Sequence, residues 1–281
     1  MIPVALASGS AAAYGLSDYL GGVASRRTGA LRVICVSYPV SVLLVGLLVP
    51  IVSGTATPAG VAWAAASGLA SGLAVWSFYL ALERGPMSVI SPLTAVLAAA
   101  VPLAVGLVSG ERPGPVALVG AVVAVLATTL VSLEGPALDG GHPRFTRDVA
   151  ALTVVAGLTF AAYFVLLDRV PDGEGLWPVL CSRVGATAVI AAVVLARRTG
   201  VRPDRRLLVT GALIAVVDVV ANVSFYYATR TGMLSVVSVL ASLYPAFTVL
   251  LALTHGGERL RAVQATGVVL GVAAIALLTL G

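Results

Sequence analysis

The sequence predicts an all-α integral membrane protein of ten transmembrane helices arranged as two inverted five-helix repeats. Three observations carry this expectation. Of 281 residues, 59% are hydrophobic and only 10% charged, with a mean hydropathy of +1.04. A soluble chain carries roughly 25% charged residues, so this one has too little charge to cover a water-facing surface. The apolar residues fall in runs of about 20, the length a helix needs to cross a bilayer. The second half of the chain also repeats the first.

Ten runs are read in order: 3–24, 31–52, 59–82, 87–109, 114–133, 149–167, 176–196, 207–229, 232–254 and 261–280. They are continuously apolar and do not alternate in segments of about ten, so they are helices and not barrel strands. The first run is expected to be a span and not a cleavable signal, because Arg26 and Arg27 follow its apolar stretch instead of preceding it. Pro92, Pro102 and Pro245 lie inside the fourth and ninth runs. Each removes a backbone hydrogen bond and bends its helix. Gly68/Gly72, Gly106/Gly110 and Gly267/Gly271 are spaced for close helix approach. The longest polar segment, 134–148, reads as a linker between a first unit at 1–133 and a second at 149–281.

Several chemistries are excluded by what is scarce. Two cysteines, Cys35 and Cys181, rule out a disulfide scaffold, and no CxxC pair is present. Two histidines, His142 and His255, leave little for a metal site, and the absence of lysine removes Schiff-base chemistry. No cofactor is expected. The net charge of +5 sits as arginines in loops between apolar runs, so membrane topology explains it and nucleic acid is not an expected partner.

Residues 76–128 laid over 223–275, without a gap, give 19 identities. They include Ser77/Ser224, Phe78/Phe225, Tyr79/Tyr226, Gly85/Gly232 and the triplets Gly110-Glu111-Arg112 and Gly257-Glu258-Arg259. With small shifts of offset, Ala13-Tyr14 falls near Ala162-Tyr163 and Cys35 near Cys181. A unit with an odd number of helices, followed by a linker that stays on one side, enters the membrane upside down the second time. Inverted repeats of this kind build secondary transporters, with the site near the midplane between the halves.

The AYGLSD segment of the first run, the GER turns before the fifth and tenth, and the segment GMLSVVSVLASLYPAFTVLLA (232–252) resemble the EamA-type transporters of the drug/metabolite transporter superfamily. That resemblance implies a secondary transporter, often an exporter of amino acids or small metabolites, in the plasma membrane and not an enzyme. The expected partners are a small-molecule substrate, the lipid bilayer and, as a candidate coupling ion, the proton. The chain is expected to be a monomer or a weak homodimer.

Two acidic residues lie well inside apolar runs, Asp18 and Asp218. A charge at the bilayer centre costs about 2.5–3.5 kcal/mol, so each must face a cavity or a partner. Asn222 and then Phe225 and Tyr226 follow Asp218 at helical spacing, and Ser10, Tyr14 and Gly21 share a stripe with Asp18. In the repeat, Ser71 stands where Asp218 does and Val75 where Asn222 does. The acid is therefore private to one half and not demanded by shared packing. Asp18, Asp218, Asn222, Tyr14, Trp76, Tyr79, Tyr163 and Tyr226 are the candidate substrate- or proton-binding residues. Burial disfavours a carboxylate's charged form, which would let either Asp carry a proton. The plainer alternative for either membrane Asp is to bond neighbouring hydroxyls or to pair with Arg183, the one arginine inside a span. The aromatic candidates could equally be packing or interface-belt residues, and Glu111 and Glu258 are expected to serve helix ends. A lipid-headgroup translocase of the same fold is the competing function. An intramembrane enzyme would need a catalytic constellation, and no histidine lies inside a span.

Thirteen arginines fall on the loops after the odd-numbered runs, and only Arg112, Arg169 and Arg230 on the opposite set. By the positive-inside rule the thirteen face the cytoplasm and both termini lie outside, whereas the family resemblance implies cytoplasmic termini. The charge count is testable by placing a cysteine at Thr199 in a chain lacking Cys35 and Cys181. That cysteine is expected to resist a membrane-impermeant thiol reagent in intact cells, and its labelling would reverse the orientation.

Overall fold

A computed structural model describes residues 1–84, 87–132, 146–198, 203–247, 251 and 262–280. Among these residues there is no strand. The α-helices with described bounds are α1 Ile2–Thr28, α2 Ala30–Leu48, α3 Pro58–Arg84, α4 Met87–Val108, α5 Pro115–Ser132, α6 Arg147–Asp168, α7 Trp177–Arg197, α8 Arg205–Thr231, α9 Leu234–Ala241 and α10 Ala262–Leu280. Their starts follow local chemistry. Thr146 and Asp204 cap α6 and α8 by accepting the N–H of Val149 and Leu207. Proline opens α3 and α5, where its missing N–H is no loss. A single residue, Gly29 with φ of 88°, separates α1 from α2.

Five segments are long and apolar enough to span a bilayer: Ala30–Ile51, Pro58–Ala81, Arg147–Asp168, Trp177–Arg197 and Arg205–Thr231. Four more, Leu93–Val108, Pro115–Leu130, Leu234–Phe247 and Ala265–Leu280, are apolar but shorter. Helix α1 has 27 residues, about 40 Å at 1.5 Å each. Its Ser8, Ser10, Tyr14, Ser17 and Asp18 lower its hydropathy below that of most of the others. Ser10 is fully buried, so this polarity faces inward. The outward faces carry exposed Leu43, Leu47, Val119, Val122, Val216, Val220, Val269 and Val272. Such a surface is stable only against lipid.

The ninth run, expected to be one bent helix, is broken. Helix α9 ends at Ala241, two residues form a turn, and helix resumes at Tyr244. Pro245 explains the position, because its ring collides with the carbonyl four residues earlier, which is that of Ala241. Tyr244 is thereby re-aimed into the interior.

Helices pack in matched sets: α3 on α6 and α1 on α8, α3 on α7 and α8 on α2, α4 on α6 and α9 on α1, with α5–α10, α2–α7 and α4–α9 as well. Exchanging each helix for the one five places away maps these pairs onto one another, whereas the packing of α1 on α2 and of α5 on α9 has no such counterpart among the described residues. One face gathers the loops α2–α3, α4–α5, α6–α7 and α8–α9. Glu111 accepts from Leu234 N and Ser235 N at 2.8 and 2.9 Å, capping α9. Arg169 donates to Ser109, and Arg230 to the carbonyls of Asp168 and Val170. Thr57 donates to Glu174, which is only 1% exposed. Glu111 thus serves a helix end, as expected, but that of α9 and not of its own helix. Gly257, Glu258, Arg259, His142, His255 and most of the 134–148 linker lie outside the described residues.

Helices α3 and α7 approach closely at the Gly68/Gly72 pair. A methyl group on Gly68 would lie 2.1 Å from the carbonyl oxygen of Ser182, and one on Gly72 2.9 Å from that of Ala186. Backbone cannot retreat as a side chain can. Gly68→Ala is expected to destabilise the protein by about 1–3 kcal/mol, read as a lower midpoint of thermal unfolding in detergent. Gly9→Ala, with nothing within 4 Å, should leave the midpoint within about 1 °C of the parent.

Candidate functional site

The broken ninth run and the inward polar face of α1 converge with α3, α4, α6, α7 and α8 on one cavity of about 80 Å³. That is room for several waters, so it is a solvated site and not a packing defect. Its charged lining is Asp18, Arg183 and Asp218; its neutral polar lining includes Ser17, Ser71 and Asn222. Aromatic rings make most of the remaining wall: Tyr14, Tyr38, Phe78, Tyr79, Phe160, Tyr163, Phe164 and Tyr244.

A hydrogen-bonded chain organises the polar side. Arg183, 2% exposed, donates from Nη1 to Asp218 Oδ2 at 3.0 Å and from Nη2 to Ser71 Oγ at 3.3 Å. Its guanidinium stands 5.5 Å over the ring of Tyr38, within cation–π range. The other carboxylate oxygen of Asp218 accepts from Asn222 Nδ2 at 3.0 Å, and the same amide donates to the Asp218 carbonyl. Asn222 Oδ1 accepts from Tyr14 at 3.0 Å and Tyr163 at 2.5 Å. An amide side chain offers two donors and two acceptor sites, and Asn222 uses all four. The hydroxyls of Tyr14 and Tyr163 are 3.4 Å apart.

Asp18 is placed differently. It faces the same cavity, yet among the described residues its carboxylate has no hydrogen-bond or ion-pair partner. The two acids therefore hold opposite positions: Asp218, the more telling candidate by sequence, is paired with Arg183, and Asp18 has no such partner among the described residues.

Of the eight residues singled out in the sequence, six line the cavity: Tyr14, Asp18, Tyr79, Tyr163, Asp218 and Asn222. Trp76 and Tyr226 are not among its lining residues and take the packing alternative left open for them. Trp76 sits in the layer between α2, α3 and α7, with Arg197 4.5 Å from its ring. Tyr226 is 2% exposed and lies against Tyr227 and Arg230, nearer the closed face. One helical position of rotation decides between cavity and packing, and the repeat register does not carry that information. Tyr38, Ser71, Arg183 and Tyr244 join the site as residues the sequence did not nominate for binding. For Arg183 the sequence offers a pair with a membrane Asp, without deciding between Asp18 and Asp218. Among the described residues no group of His, Cys, Asp and Glu could hold a metal ion.

The model of the EamA-like transporter family matches residues 149–280. No curated protein matches the chain. Twenty-eight solved chains match its fold. One, described only as a crystal structure of a protein, superposes with a TM-score of 0.74 at 17% identity, over 97% of this chain and 98% of that one. At that identity the likeness establishes the fold alone. Together the family match and the membrane-length helices make the chain a multi-pass membrane protein of transporter type.

The Arg183–Asp218 pair has a stability consequence. Removing one partner of a buried ion pair leaves an uncompensated charge, at a cost of about 3–5 kcal/mol. Asp218→Leu is expected to lower thermal stability by that order, and Arg183→Met combined with Asp218→Leu to recover most of it. A double variant as unstable as the sum of the single ones would mean that the two side chains act independently.

Proposed function

From a chain whose second half is of the EamA-like transporter family, we propose a secondary active transporter of the drug/metabolite superfamily. It exports a small metabolite or amino-acid-like solute across the plasma membrane by alternating access, with the proton as coupling ion. The observation that carries this reading is the cavity: a charged, aromatic-walled space enclosed by helices from both halves of the chain. A soluble core has no use for an unpaired carboxylate there, and a transport site does.

Ten spans, in two inverted units at 1–133 and 149–281, are the framework of the proposal. It is supported by the helix pairs that map onto one another when helices five apart are exchanged. It is supported too by Tyr14 and Tyr163, matched in the repeat, which meet on one asparagine. The N-terminus of α1 lies beside the C-terminal end of α8, where Gly232 approaches Pro3. The C-terminal end of α6 is bonded to Arg230 at that same end of α8, so α1 and α6 run in opposite directions. In alternating access the contacts that seal this face, Glu111 on α9 and Glu174 on Thr57, must break when the opposite face closes.

Asp18 is the residue on which proton coupling is placed, in the company of Asp218, Tyr79 and Tyr244 at the same cavity. Asp218, Asn222, Tyr14 and Tyr163 hold the site's shape. Trp76 and Tyr226 have no role in solute binding here. The test is transport in proteoliposomes, with a solute first found by thermal-shift screening of metabolites, amines and lipid headgroups. Wild type is expected to show counterflow, faster uptake when the same solute waits inside. It should also show flux driven by a pH gradient, and Asp18→Asn should lose that gradient dependence at least tenfold. Flux indifferent to solute on the far side would overturn alternating access, and a headgroup that alone is moved would move the reading to a lipid translocase.

A further inference from the structure

The face away from the sealing loops gathers positive charge on four helix ends: the end of α1, the start of α2, the end of α7 and the start of α8. Three contacts bring these ends together. Gly232, just after α8, meets Pro3 at the start of α1, so these two helices are antiparallel. Gly211 of α8 meets Val36 of α2 while Leu207 clusters with Val33, so α2 and α8 begin on the same side. Gly46 of α2 faces Leu180 of α7 while Ile34 clusters with Ala186 and Ile190, so α2 begins where α7 ends.

Arg27, Arg32, Arg197, Arg198, Arg205 and Arg206 stand at these ends, and all six are exposed. Among the described residues none of them joins an ion pair. The acid described beside them is Asp204, whose Oδ1 is spent on the N–H of Leu207 at the start of α8. Arg197 lies 4.5 Å over the ring of Trp76, a pairing of cation and amphipathic ring suited to headgroup level. Arg198 closes α7 with φ of 49°, a left-handed position that favours glycine and here carries a charge.

The surface below these arginines identifies the anion that fits them. On α8, Val209, Leu213, Val216 and Val220 are exposed and follow Arg205 at helical spacing in one stripe. At 1.5 Å per residue that stripe reaches about 22 Å below Arg205, enough to pass through one leaflet of a hydrocarbon core about 30 Å thick. Exposed Val23 lies one turn below Arg27, and exposed Leu195 one turn below Arg198. A guanidinium fork matches phosphate oxygens two at a time, and an apolar stripe of this length matches a fatty chain. Charge and stripe together complement one molecule that carries both.

We propose that this face binds an anionic phospholipid of the surrounding leaflet, its phosphate on the arginines and an acyl chain along α8. Basic pockets between membrane helices hold lipid phosphates in this way. The lipid would tie α1 and α2 of the first half to α7 and α8 of the second, whatever solute the cavity carries.

Native mass spectrometry of the full chain, released from detergent micelles doped equally with phosphatidylglycerol and phosphatidylcholine, reads which lipid stays bound. Phosphatidylglycerol is expected to be held at least tenfold more tightly. Arg205→Gln with Arg206→Gln should reduce that ratio below about threefold, while lysine at both positions, which keeps the charge, should leave it above threefold. A charge-matched control at other helix ends, Arg84→Gln with Arg147→Gln, should leave the ratio at its parent value. Phosphatidylglycerol should also raise the midpoint of thermal unfolding, and glycerol phosphate, which has the charge without the chains, should not. Equal retention of the two lipids would overturn the proposal. So would an equal loss of preference in both glutamine pairs, which is the mark of a diffuse potential without a site. An equal midpoint shift with glycerol phosphate would overturn it too, as the sign of a site for a free anion. Should the Arg205/Arg206 glutamine pair fail to fold, Arg32→Gln with Arg197→Gln takes its place under the same expectations.

Discussion

The interior of this protein is organised around one buried arginine. Arg183 sits 2% exposed inside α7, where an unpaired charge would cost several kcal/mol and a guanidinium cannot shed its proton. Its answer is to bind three helices at once: α8 through Asp218, α3 through Ser71 and α2 through the face of Tyr38. Asp218 passes the constraint to Asn222, and Asn222 to Tyr14 of α1 and Tyr163 of α6. Six helices are thereby held by one connected polar chain. In hydrocarbon such a network is worth having only if every member is satisfied. Asn222 meets that condition fully, whereas Nε of Arg183 has no partner among the described residues.

Around that chain, backbone geometry makes the space. Glycines let α3 and α7 close on each other, which brings Ser71 within reach of Arg183. Pro245 stops α9 before Ser242 and returns Tyr244 to the cavity. At one face, Glu111 spends both carboxylate oxygens on the first N–H groups of α9, groups that a helix start otherwise leaves orphaned. The same broken helix is therefore fixed at its outer end by a charge and freed at its middle by a proline.

Much of this was legible in the sequence, and the reason is hydropathy. Nine of the ten expected runs correspond closely to helices α1 to α8 and α10, because an apolar stretch in a bilayer has no choice but helix. The ninth run differs because a proline's effect depends on what its carbonyl partner can do instead. The site was legible in part. Asp18 and Asp218 stood out by their cost, and Tyr14 and Tyr163 by their shared register. Which acid is paired was not legible, since it depends on the rotation of α7 that brings Arg183 against α8. Glu174 is nearly fully buried in a loop between α6 and α7. It gave no signal because a charge beside a turn normally means solvent.

Positions in register across the sequence repeat differ where they meet the cavity. Ser71 and Asp218 stand at matching places, and both touch Arg183, one with a hydroxyl and the other with a carboxylate. Had both been acids, the arginine would be outnumbered and the cavity would carry a second uncompensated charge. Had both been serines, the arginine itself would be unpaired. Tyr79 and Tyr226 diverge in the same way, one lining the cavity and the other packed against Arg230. Identical side chains at matching places would give two equal and competing sites. Charge is where the copies differ, and among the described residues Asp18, in α1, is the acid at the cavity that the network does not bind.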